Sequence, residues 1–333
     1  MKTLLEKVLE HVDLSEEEAA QAMAGLTDEG VSDAVKAGFL TALRAKGETA
    51  DELRGMAMTM RQAARSFESD LEGPYADTCG TGGDGSHSIN ISTAVALVVA
   101  SVGHPVVKHG NRSVSSKSGS ADVLEAMGIA LPADPAAARA MFETYGYTFL
   151  FAPVWHPSMK AVVPVRRALG VRTAFNMLGP LTNPASPEVQ LLGAFSEEAA
   201  GIMAETLSGM PMERAYVVHG APHWDEATPM GPFLRFDVRP GVVVEERIDP
   251  LERYGIPRCV PEDLAGGDAA YNAQALLDIF AGKKGAGRDA VLLNAVLVLE
   301  LLGHESEEAL GIISAALDDG STECFVEQLR GNS

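Results

Sequence analysis

Short apolar runs alternate with glycine- and serine-rich loops and with helical patterns from about residue 75 onward. Strands separated by helices fold stably as a largely parallel sheet with helices packed on its faces. The sequence therefore predicts an α/β domain with a mainly parallel central sheet. The apolar runs lie at 94–99, 105–108, 190–195, 215–219 and 241–244, and helical patterns lie at 122–127, 197–207 and 272–281.

The first 70 residues have a different residue pattern, which predicts helices throughout. Ser15 with Glu18, and Thr49 with Glu52, fit the capping box, in which two side chains satisfy backbone donors at a helix start. Apolar residues recur at helical spacing in the stretch between these two boxes. We predict a small bundle of four short amphipathic helices.

A proline- and glycine-rich stretch at 179–184 ends a helical segment and predicts a crossing of the chain between subdomains. We therefore predict a helical domain over residues 1–72, joined by the helical segment around 165–188. The remaining residues, 73–164 and 189–333, are predicted to form the α/β domain.

The chain is strongly acidic, with 26 lysines and arginines against 46 aspartates and glutamates and a formal net charge of −20. Such a chain repels nucleic-acid phosphates and anionic membrane surfaces, so we predict neither a nucleic-acid nor a membrane partner. An anionic ligand must then be met by a local basic site or by metal ions. A local cluster of basic residues is therefore informative in this sequence.

The three cysteines, Cys79, Cys259 and Cys324, are scattered and form neither a disulfide framework nor a zinc-binding spacing. A reducing compartment is the simplest interpretation. The chain start becomes charged too early for a signal peptide, and polar residues interrupt the long apolar run at 290–302, which is typical of a buried helix. We therefore predict a soluble, cytoplasmic protein.

A glycine-rich segment at 77–93 is the first candidate binding site. Glycines at positions 80, 82, 83 and 85 let the backbone approach a ligand closely, and Asn90-Ile-Ser-Thr93 leads into an apolar run that predicts a helix start. A helix start offers free amides and the positive end of the helix dipole, both suited to phosphate. The segment is neither a P-loop nor a Rossmann fingerprint, and a glycine-rich turn without a ligand is the alternative.

The second candidate site follows the next apolar run. Between residues 108 and 121 there are three fixed cations, one histidine, five serines and no acidic residue. Lysine, arginine and serine side chains together satisfy phosphate oxygens, although a solvated basic loop has the same composition. Two such loops at adjacent strand ends indicate a polyphosphate or phosphosugar site, because ligands of α/β sheets bind outside the carboxyl ends of strands.

Two further groups of charged residues have weaker signals. Arg166, Arg167 and Arg172 are suited to hold a carboxylate or phosphate, although arginines on a helix are more often solvated or ion-paired. The adjacent acids Asp225 and Glu226 follow an apolar run and suit Mg2+, which bridges carboxylates to substrate phosphates. Such acid pairs are also common without a metal.

Together these segments resemble the anthranilate phosphoribosyltransferase family. The matching pieces occur in family order, and the helical N-terminal segment is also expected in this family. They are Gly80-Thr-Gly-Gly-Asp84, Asn90-Ile-Ser-Thr93, Lys108-His-Gly-Asn-Arg112, Ser116-Lys-Ser-Gly-Ser-Ala-Asp122, His156-Pro157, Pro164-Val-Arg-Arg167, the stretch 172–184, and Asp225-Glu226. The joint match is specific, whereas any single piece is not.

The resemblance implies the nucleoside phosphorylase-like phosphoribosyltransferase fold, with a small helical domain and a larger α/β domain. It implies transfer of the 5-phosphoribosyl group from phosphoribosyl diphosphate to the amine of anthranilate, releasing pyrophosphate, which is the second step of tryptophan synthesis from chorismate. It also implies two Mg2+ ions per active site and a homodimer formed through the helical domain.

The resemblance further implies which residues bind each ligand. For phosphoribosyl diphosphate these are Gly80, Gly83, Asp84, Ser88, Asn90, Ile91, Ser92, Thr93, Lys108, His109, Gly110, Asn111, Arg112, Ser113, Val114, Ser115, Ser116 and Ser120. Anthranilate would contact Gly80, Asn111 and Arg166, and Mg2+ would be held by Ser92, Asp225 and Glu226. No acid or base is assigned; Lys108 and Arg112 would stabilise the charge of the departing pyrophosphate.

Two departures from the family pattern leave alternatives open. His223-Trp224 stands where the family commonly has Gly-Leu before the acid pair, and Ser88 replaces the usual threonine. A shifted metal loop, a different aromatic amine acceptor and a non-catalytic relative are the alternatives. A nucleoside phosphorylase of the same fold is another, which the intact 108–112 loop and the Asp225-Glu226 pair disfavour.

Overall fold

The amino-terminal residues form four short helices, as the capping pattern predicts. The computed structural model describes residues 1–71, 73–113 and 117–331. Ser15 and Thr49 accept hydrogen bonds from the backbone N–H groups of Glu18 and Glu52, at 3.2 and 3.3 Å, and each glutamate carboxylate accepts one in return. These bonds stabilise two helix starts. The helices are α1 (Lys2–Leu9), α2 (Glu16–Thr27), α3 (Asp33–Lys46) and α4 (Ala50–Ala63).

The described part of the chain then forms one seven-stranded sheet, in the order β3-β2-β1-β4-β5-β6-β7. Strands β1 to β5 pair in parallel, whereas the β5–β6 and β6–β7 pairs are antiparallel. The prediction of a mainly parallel central sheet is therefore confirmed. The strands are β1 (Ala76–Gly80), β2 (Val106–Gly110), β3 (Tyr147–Phe151), β4 (Val189–Gly193), β5 (Arg214–His219), β6 (Phe233–Arg239) and β7 (Val242–Ile248).

Helices connect the parallel strands and cover both faces of the sheet. Short 3₁₀ turns lie at Pro157–Ala161 and Pro261–Leu264. The helices are α5 (Ile91–Ser101), α6 (Ser120–Ala126), α7 (Pro135–Tyr145), α8 (Ala152–Trp155), α9 (Val163–Leu169), α10 (Phe175–Leu181), α11 (Glu197–Ser208), α12 (Pro250–Tyr254), α13 (Ala269–Phe280), α14 (Ala286–Leu301), α15 (Ser306–Asp318) and α16 (Ser321–Arg330).

One apolar core lies between the sheet and helices α5 and α14. Both helices are buried along nearly their whole length, which confirms the buried helix predicted at 290–302. The apolar run at 94–99, which was grouped with the predicted strands, belongs instead to α5, in agreement with the helix start predicted just before it. Leu191 and Val218 of the sheet point into this core. No helix among the described residues has both the length and the apolar character needed to span a membrane.

A second core joins the helical bundle to the other face of the sheet. Leu192 and Val217 are the chain neighbours of the two sheet residues that point into the first core. Because side chains alternate along a strand, Leu192 and Val217 point into the second core. Phe39 of α3 and Phe175 of α10 also lie in this core. The segment predicted to join the helical domain therefore packs with it, and the domain boundaries themselves stay a prediction.

Candidate active site

The candidate site lies at the carboxyl ends of β1, β2, β4 and β5, where the two predicted loops leave the sheet. Asp225 and Glu226 reach the same edge from the loop that follows β5. A shallow cavity there is lined by Gly80, Ser92 and both acids, among others. Ligands of open α/β sheets bind at this edge.

Two glycines allow Asp225 to lie directly against the strand ends. A Cβ atom at Gly80 would collide with the Asp225 carboxylate, and one at Gly193 would collide with its backbone carbonyl group. The backbone N–H of Gly82 donates a hydrogen bond of 2.6 Å to Asp225 Oδ2. Glycine is therefore required at the ends of β1 and β4 by close packing of backbone and carboxylate.

Asp84 ties the glycine-rich loop to the acid pair. Its Oδ2 accepts a hydrogen bond from the backbone N–H of Asp225 at 3.1 Å, and its Oδ1 accepts bonds from the backbone and hydroxyl of Ser86 at 3.0 and 2.9 Å. The carbonyl of Gly83 accepts a bond of 2.6 Å from Arg172, whose guanidinium lies over the Phe195 ring. The loop is thus held from two sides.

Glu226 lies against the start of α5. Its Oε1 accepts a hydrogen bond of 3.1 Å from the backbone N–H of Ser92, while its Oε2 is buried and has no hydrogen-bond partner in the part of the chain that the structure describes. Burial, and then the charge of Asp225, raises the pKa of Glu226 well above its usual value. Burial, and then Asp84, raises the pKa of Asp225. These carboxylates therefore lack a compensating positive charge on the side of the cleft.

The donor set fits Mg2+. No cluster of three or more His, Cys, Asp or Glu side chains placed to hold a metal occurs in the described parts of the chain. Mg2+, however, is usually bound by one or two carboxylates together with waters and substrate phosphates. The unpartnered oxygen of Glu226, the Asp225 carboxylate and the Ser92 hydroxyl supply that kind of oxygen ligand.

Lys108 lies beneath the site instead of in the open cleft. It is 1% exposed, and its Nζ donates to the carbonyl of Thr78 and lies 3.5 Å from Ser92 Oγ. Burial lowers the pKa of Lys108, while the nearby carboxylates Asp77 and Glu226 oppose that shift. Its positive charge therefore supports the acid pair and the start of α5 from below.

The residues around the start of α5 are held by α13 and the loop before it. Ser88 forms an isolated β-bridge with Ala265, and the Asn90 side chain accepts a bond of 2.8 Å from Asn272. Ile91 and Thr93 are fully buried, so their side chains lie in the interior below the cleft. Asn272 lies 182 residues away from Asn90 and in no recognised motif, so its role here could not be predicted from the sequence.

Arg112 is half exposed and is already paired with acids. It forms a bidentate pair with Glu125 at 2.5 and 2.7 Å and bonds Asp122 at 3.0 Å. Its guanidinium also lies 5.5 Å from the centre of the Phe151 ring. Arg112 is predicted to bind phosphate, and to do so its guanidinium has to leave these two carboxylates.

The remainder of this loop is organised by the start of α6. Asp122 accepts bonds from the backbone N–H groups of Ser113 and Gly119 at 3.0 and 2.9 Å, and the carbonyl of Asn111 accepts one from Ser120 Oγ at 3.3 Å. A Cβ atom at Gly110 would collide with Ser120 and crowd Phe149. Val114, Ser115 and Ser116, also predicted to bind phosphate, lie outside the described residues.

His109 on β2 and His156, which directly follows α8, form a buried pair. Their ring centres are 5.1 Å apart, and Nε2 of each has no hydrogen-bond partner within residues 1–71, 73–113 and 117–331. Burial lowers the pKa of His109 to about 3 and that of His156 to about 4, so both are neutral at neutral pH. The backbone N–H of His109 donates to buried Asp77 at 3.2 Å, and Asn183 donates to the same carboxylate at 2.9 Å.

Arg166 on α9 lies over the Phe175 ring, with its guanidinium 4.9 Å from the ring centre. It is half-buried, and burial lowers its pKa. Within the described residues its side chain forms no hydrogen bond or ion pair, so its donors are available to a ligand. The structure brings Gly80, Ser92, Asp225 and Glu226 together, whereas no hydrogen bond links Arg166 to that group.

The unusual residues before the acid pair do not enter the cleft. Trp224 is buried in the first core, and its backbone exchanges hydrogen bonds of 2.8 and 3.0 Å with Gly220 in a tight turn. His223 is exposed at the tip of this turn. The two acids that follow still lie at the strand ends.

The fold and this site define a glycosyl transferase of two parts. Residues 72–323 match the glycosyl transferase family a/b domain, and residues 2–64 match the helical bundle domain of the same family. The two matches together account for most of the chain.

Relatives narrow the family further. An anthranilate phosphoribosyltransferase of Acetivibrio thermocellus is 44% identical over 96% of this chain and 93% of its own length, and one of Pelotomaculum thermopropionicum is 46% identical over 95% and 91%. The chain therefore belongs to the anthranilate phosphoribosyltransferase family.

Solved structures agree with this assignment. The crystal structure of the Thermus thermophilus enzyme has a TM-score of 0.90 and 40% identity, covering 98% of both chains. The Saccharomyces cerevisiae enzyme, solved in complex with PRPP and Mg, has a TM-score of 0.89 at 23% identity, covering 99% of this chain and 98% of its own, and shows the shared fold.

Proposed function

We propose that this chain transfers the 5-phosphoribosyl group of phosphoribosyl diphosphate to the amine of anthranilate, releasing pyrophosphate, as in the second step of tryptophan biosynthesis. The observation that carries the proposal is the acid pair at the strand ends. Glu226 has a buried, unpartnered oxygen beside the start of α5, and the glycine-rich loop bonds Asp225. A diphosphate with bound cations matches this combination of free amides and carboxylates.

Mg2+ fits the site, and we propose two ions per active site, held by Ser92, Asp225 and Glu226. The structure of the yeast relative in complex with PRPP and Mg supports the use of Mg2+, whereas the number of ions and their ligands are part of the proposal. When bound, Mg2+ would neutralise negative charge on the diphosphate during its departure. Lys108, beneath Ser92, adds a fixed positive charge on the other side of the acid pair.

The other residues that are predicted to bind phosphate belong to the two loops. We propose that the 80–93 segment supplies backbone amides and hydroxyl groups, and that Arg112 leaves Glu125 for the diphosphate. The guanidinium of Arg112 is half exposed, so this exchange requires little desolvation. A bidentate arginine then stabilises the charge that develops on the leaving group.

Anthranilate provides a neutral aromatic amine and a carboxylate. We propose that Arg166 binds the carboxylate, because its guanidinium is half-buried and has no acidic partner among the described residues. Asn111 and Gly80 complete that site in the proposal. The amine attacks the anomeric carbon as the bond to pyrophosphate breaks, and the proton it loses goes to solvent or to pyrophosphate. Positioning of the two substrates then contributes most to the rate.

The first experiment follows anthranilate fluorescence after adding phosphoribosyl diphosphate and Mg2+ to the purified chain. We expect a rapid loss of fluorescence that requires both additions, since the product no longer carries the free amine. Retained binding of phosphoribosyl diphosphate without any loss would favour another aromatic amine. Phosphorolysis of a nucleoside by free phosphate would favour the phosphorylase alternative.

A homodimer through the helical domain is also proposed. Leu9 at the end of α1 and nearby Val12 are 61% and 43% exposed, which is unusual for large apolar residues so close together. We expect the unaltered chain to sediment as a dimer and the Leu9→Glu, Val12→Glu double variant as a monomer. Val242→Glu, at a similarly exposed position on β7, is the control and should remain dimeric. A monomeric wild-type chain would contradict the proposal.

The cytoplasmic location stays a prediction.

A further inference from the structure

Two histidines meet at the end of the molecule opposite the candidate active site. Each follows a glycine with positive φ that terminates one of the two buried helices: Gly103 and His104 follow α5, and Gly303 and His304 follow α14. The backbone N–H of His104 donates to Val99 O at 3.3 Å, and that of His304 to Leu299 O at 3.0 Å.

These bonds are the six-to-one hydrogen bonds that close a helix C-terminus. Since α5 and α14 pack in the first core, the two helix ends fix the backbone of both histidines. The pair is thus built on rigid elements, as a preorganised binding site requires. Helix α5 has 11 residues, so its two ends lie roughly 16 Å apart at 1.5 Å per residue.

The imidazole rings converge through the same nitrogen. Nε2 of His104 and Nε2 of His304 are 3.2 Å apart, and the rings are nearly perpendicular at 81°. Zinc–nitrogen bonds of about 2.0–2.1 Å at a tetrahedral angle would place two ligand nitrogens about 3.3 Å apart. The observed separation matches that spacing with no change of backbone.

A carboxylate lies beside one of the rings. Nδ1 of His304 lies 3.3 Å from Oε2 of Glu308 on the first turn of α15. A proton on Nδ1 leaves the lone pair of His304 on Nε2, facing His104. Metal-binding histidines are commonly oriented by a carboxylate on the other ring nitrogen in this way.

We propose that His104 and His304 form a binding site for an imidazole-binding transition-metal dication such as Zn2+. Water completes the coordination, because both side chains are partly exposed and two protein ligands converge among the described residues. Imidazole selects such ions over Mg2+, so this site is chemically distinct from the oxygen site at the strand ends. The ion would tie the α5–β2 turn to the α14–α15 turn.

The surrounding charges favour a cation. The carboxyl ends of α5 and α14 carry partial negative charge, and Glu308 adds a carboxylate. In the metal-free molecule the Nε2–H group of one histidine donates a hydrogen bond to Nε2 of the other. Metal binding requires both Nε2 lone pairs, so His104 has to carry its proton on Nδ1.

The test is a Zn2+ titration of the tag-free, full-length chain by calorimetry, in excess Mg2+ to fill the oxygen site. We expect the unaltered chain to bind one more equivalent of Zn2+ than His104→Gln or His304→Gln. Glu308→Gln should weaken that site by about tenfold or more. His223→Gln, which removes an exposed histidine elsewhere, should bind like the unaltered chain.

Equal Zn2+ stoichiometry and affinity in the unaltered chain and His104→Gln would overturn the proposal and leave a hydrogen-bonded pair only.

A second measurement needs no variant, in case the substitutions impair folding. Paramagnetic Co2+ should broaden the ring-proton resonances of two of the eight histidines before the others. Uniform broadening of all histidines, or of none, would also overturn it.

Discussion

Replacing Gly193 by alanine is expected to lower kcat/KM by about 100-fold or more. The new Cβ atom would occupy the position of the Asp225 backbone carbonyl, so the loop that carries both acids has to move away from the strand ends. β4 is a central strand paired on both sides and cannot shift instead. A displacement of about 1 Å at a reacting centre costs roughly that factor in rate.

The matched control is Gly311→Ala in the middle of α15. A Cβ atom there meets nothing within 4 Å, and alanine in a helix interior stabilises by about 1 kcal/mol relative to glycine. We expect this variant to keep full activity and a slightly higher Tm. Initial rates of anthranilate consumption and thermal unfolding measure both outcomes. A Gly193→Ala variant with activity within threefold of the unaltered chain would show that the close approach is unimportant.

The helical half of the fold was predictable because its signals are local. The capping boxes at Ser15 and Thr49 consist of residues three apart, and both helices begin where those pairs indicate. The buried helix α14 was also predictable, because its interrupting residues, Asn294 and Glu300, still left an apolar run too long for a strand.

The strands β1, β3 and β6 were not among the apolar runs identified from the sequence. Strand β3 follows α7 after the single residue Gly146, so no polar loop marks where the helix ends. Strand β6 is antiparallel to both of its neighbours, and its pairing with β7 depends on the tight turn around Gly241. Neither feature follows from the alternation of apolar runs and helices that predicted strands β2, β4, β5 and β7.

The candidate site shows the same division between local and distant information. The glycine-rich loop and the acid pair could be identified from their residues. The burial of Lys108 could not, because it depends on the position of β2 between β1 and β3. The stretch 108–121 contains no acid, yet α6 returns Asp122 and Glu125 to the Arg112 guanidinium.

Replacing Glu226 by glutamine is expected to abolish most of the activity while leaving the fold intact. The amide oxygen can still accept the hydrogen bond from Ser92, so the loop keeps its position. The substitution removes the charge of a carboxylate whose second oxygen is buried at the site without a partner, and with it the attraction for Mg2+. Losing one such electrostatic contact costs about 100-fold or more in rate.

Thermal unfolding separates this effect from misfolding. The pKa of Glu226 is raised by burial and by Asp225 in spite of the nearby Lys108, so its ionised carboxylate destabilises the metal-free protein. The metal-free Glu226→Gln variant should therefore have an equal or higher Tm. Mg2+ with phosphoribosyl diphosphate should raise the Tm of the unaltered chain but not that of the variant, because only a bound ligand stabilises the folded state. Glu245→Gln, an exposed acid on β7, should behave like the unaltered chain in both measurements. A Glu226→Gln variant that keeps its Mg2+-dependent Tm shift would place the metal elsewhere in the cleft.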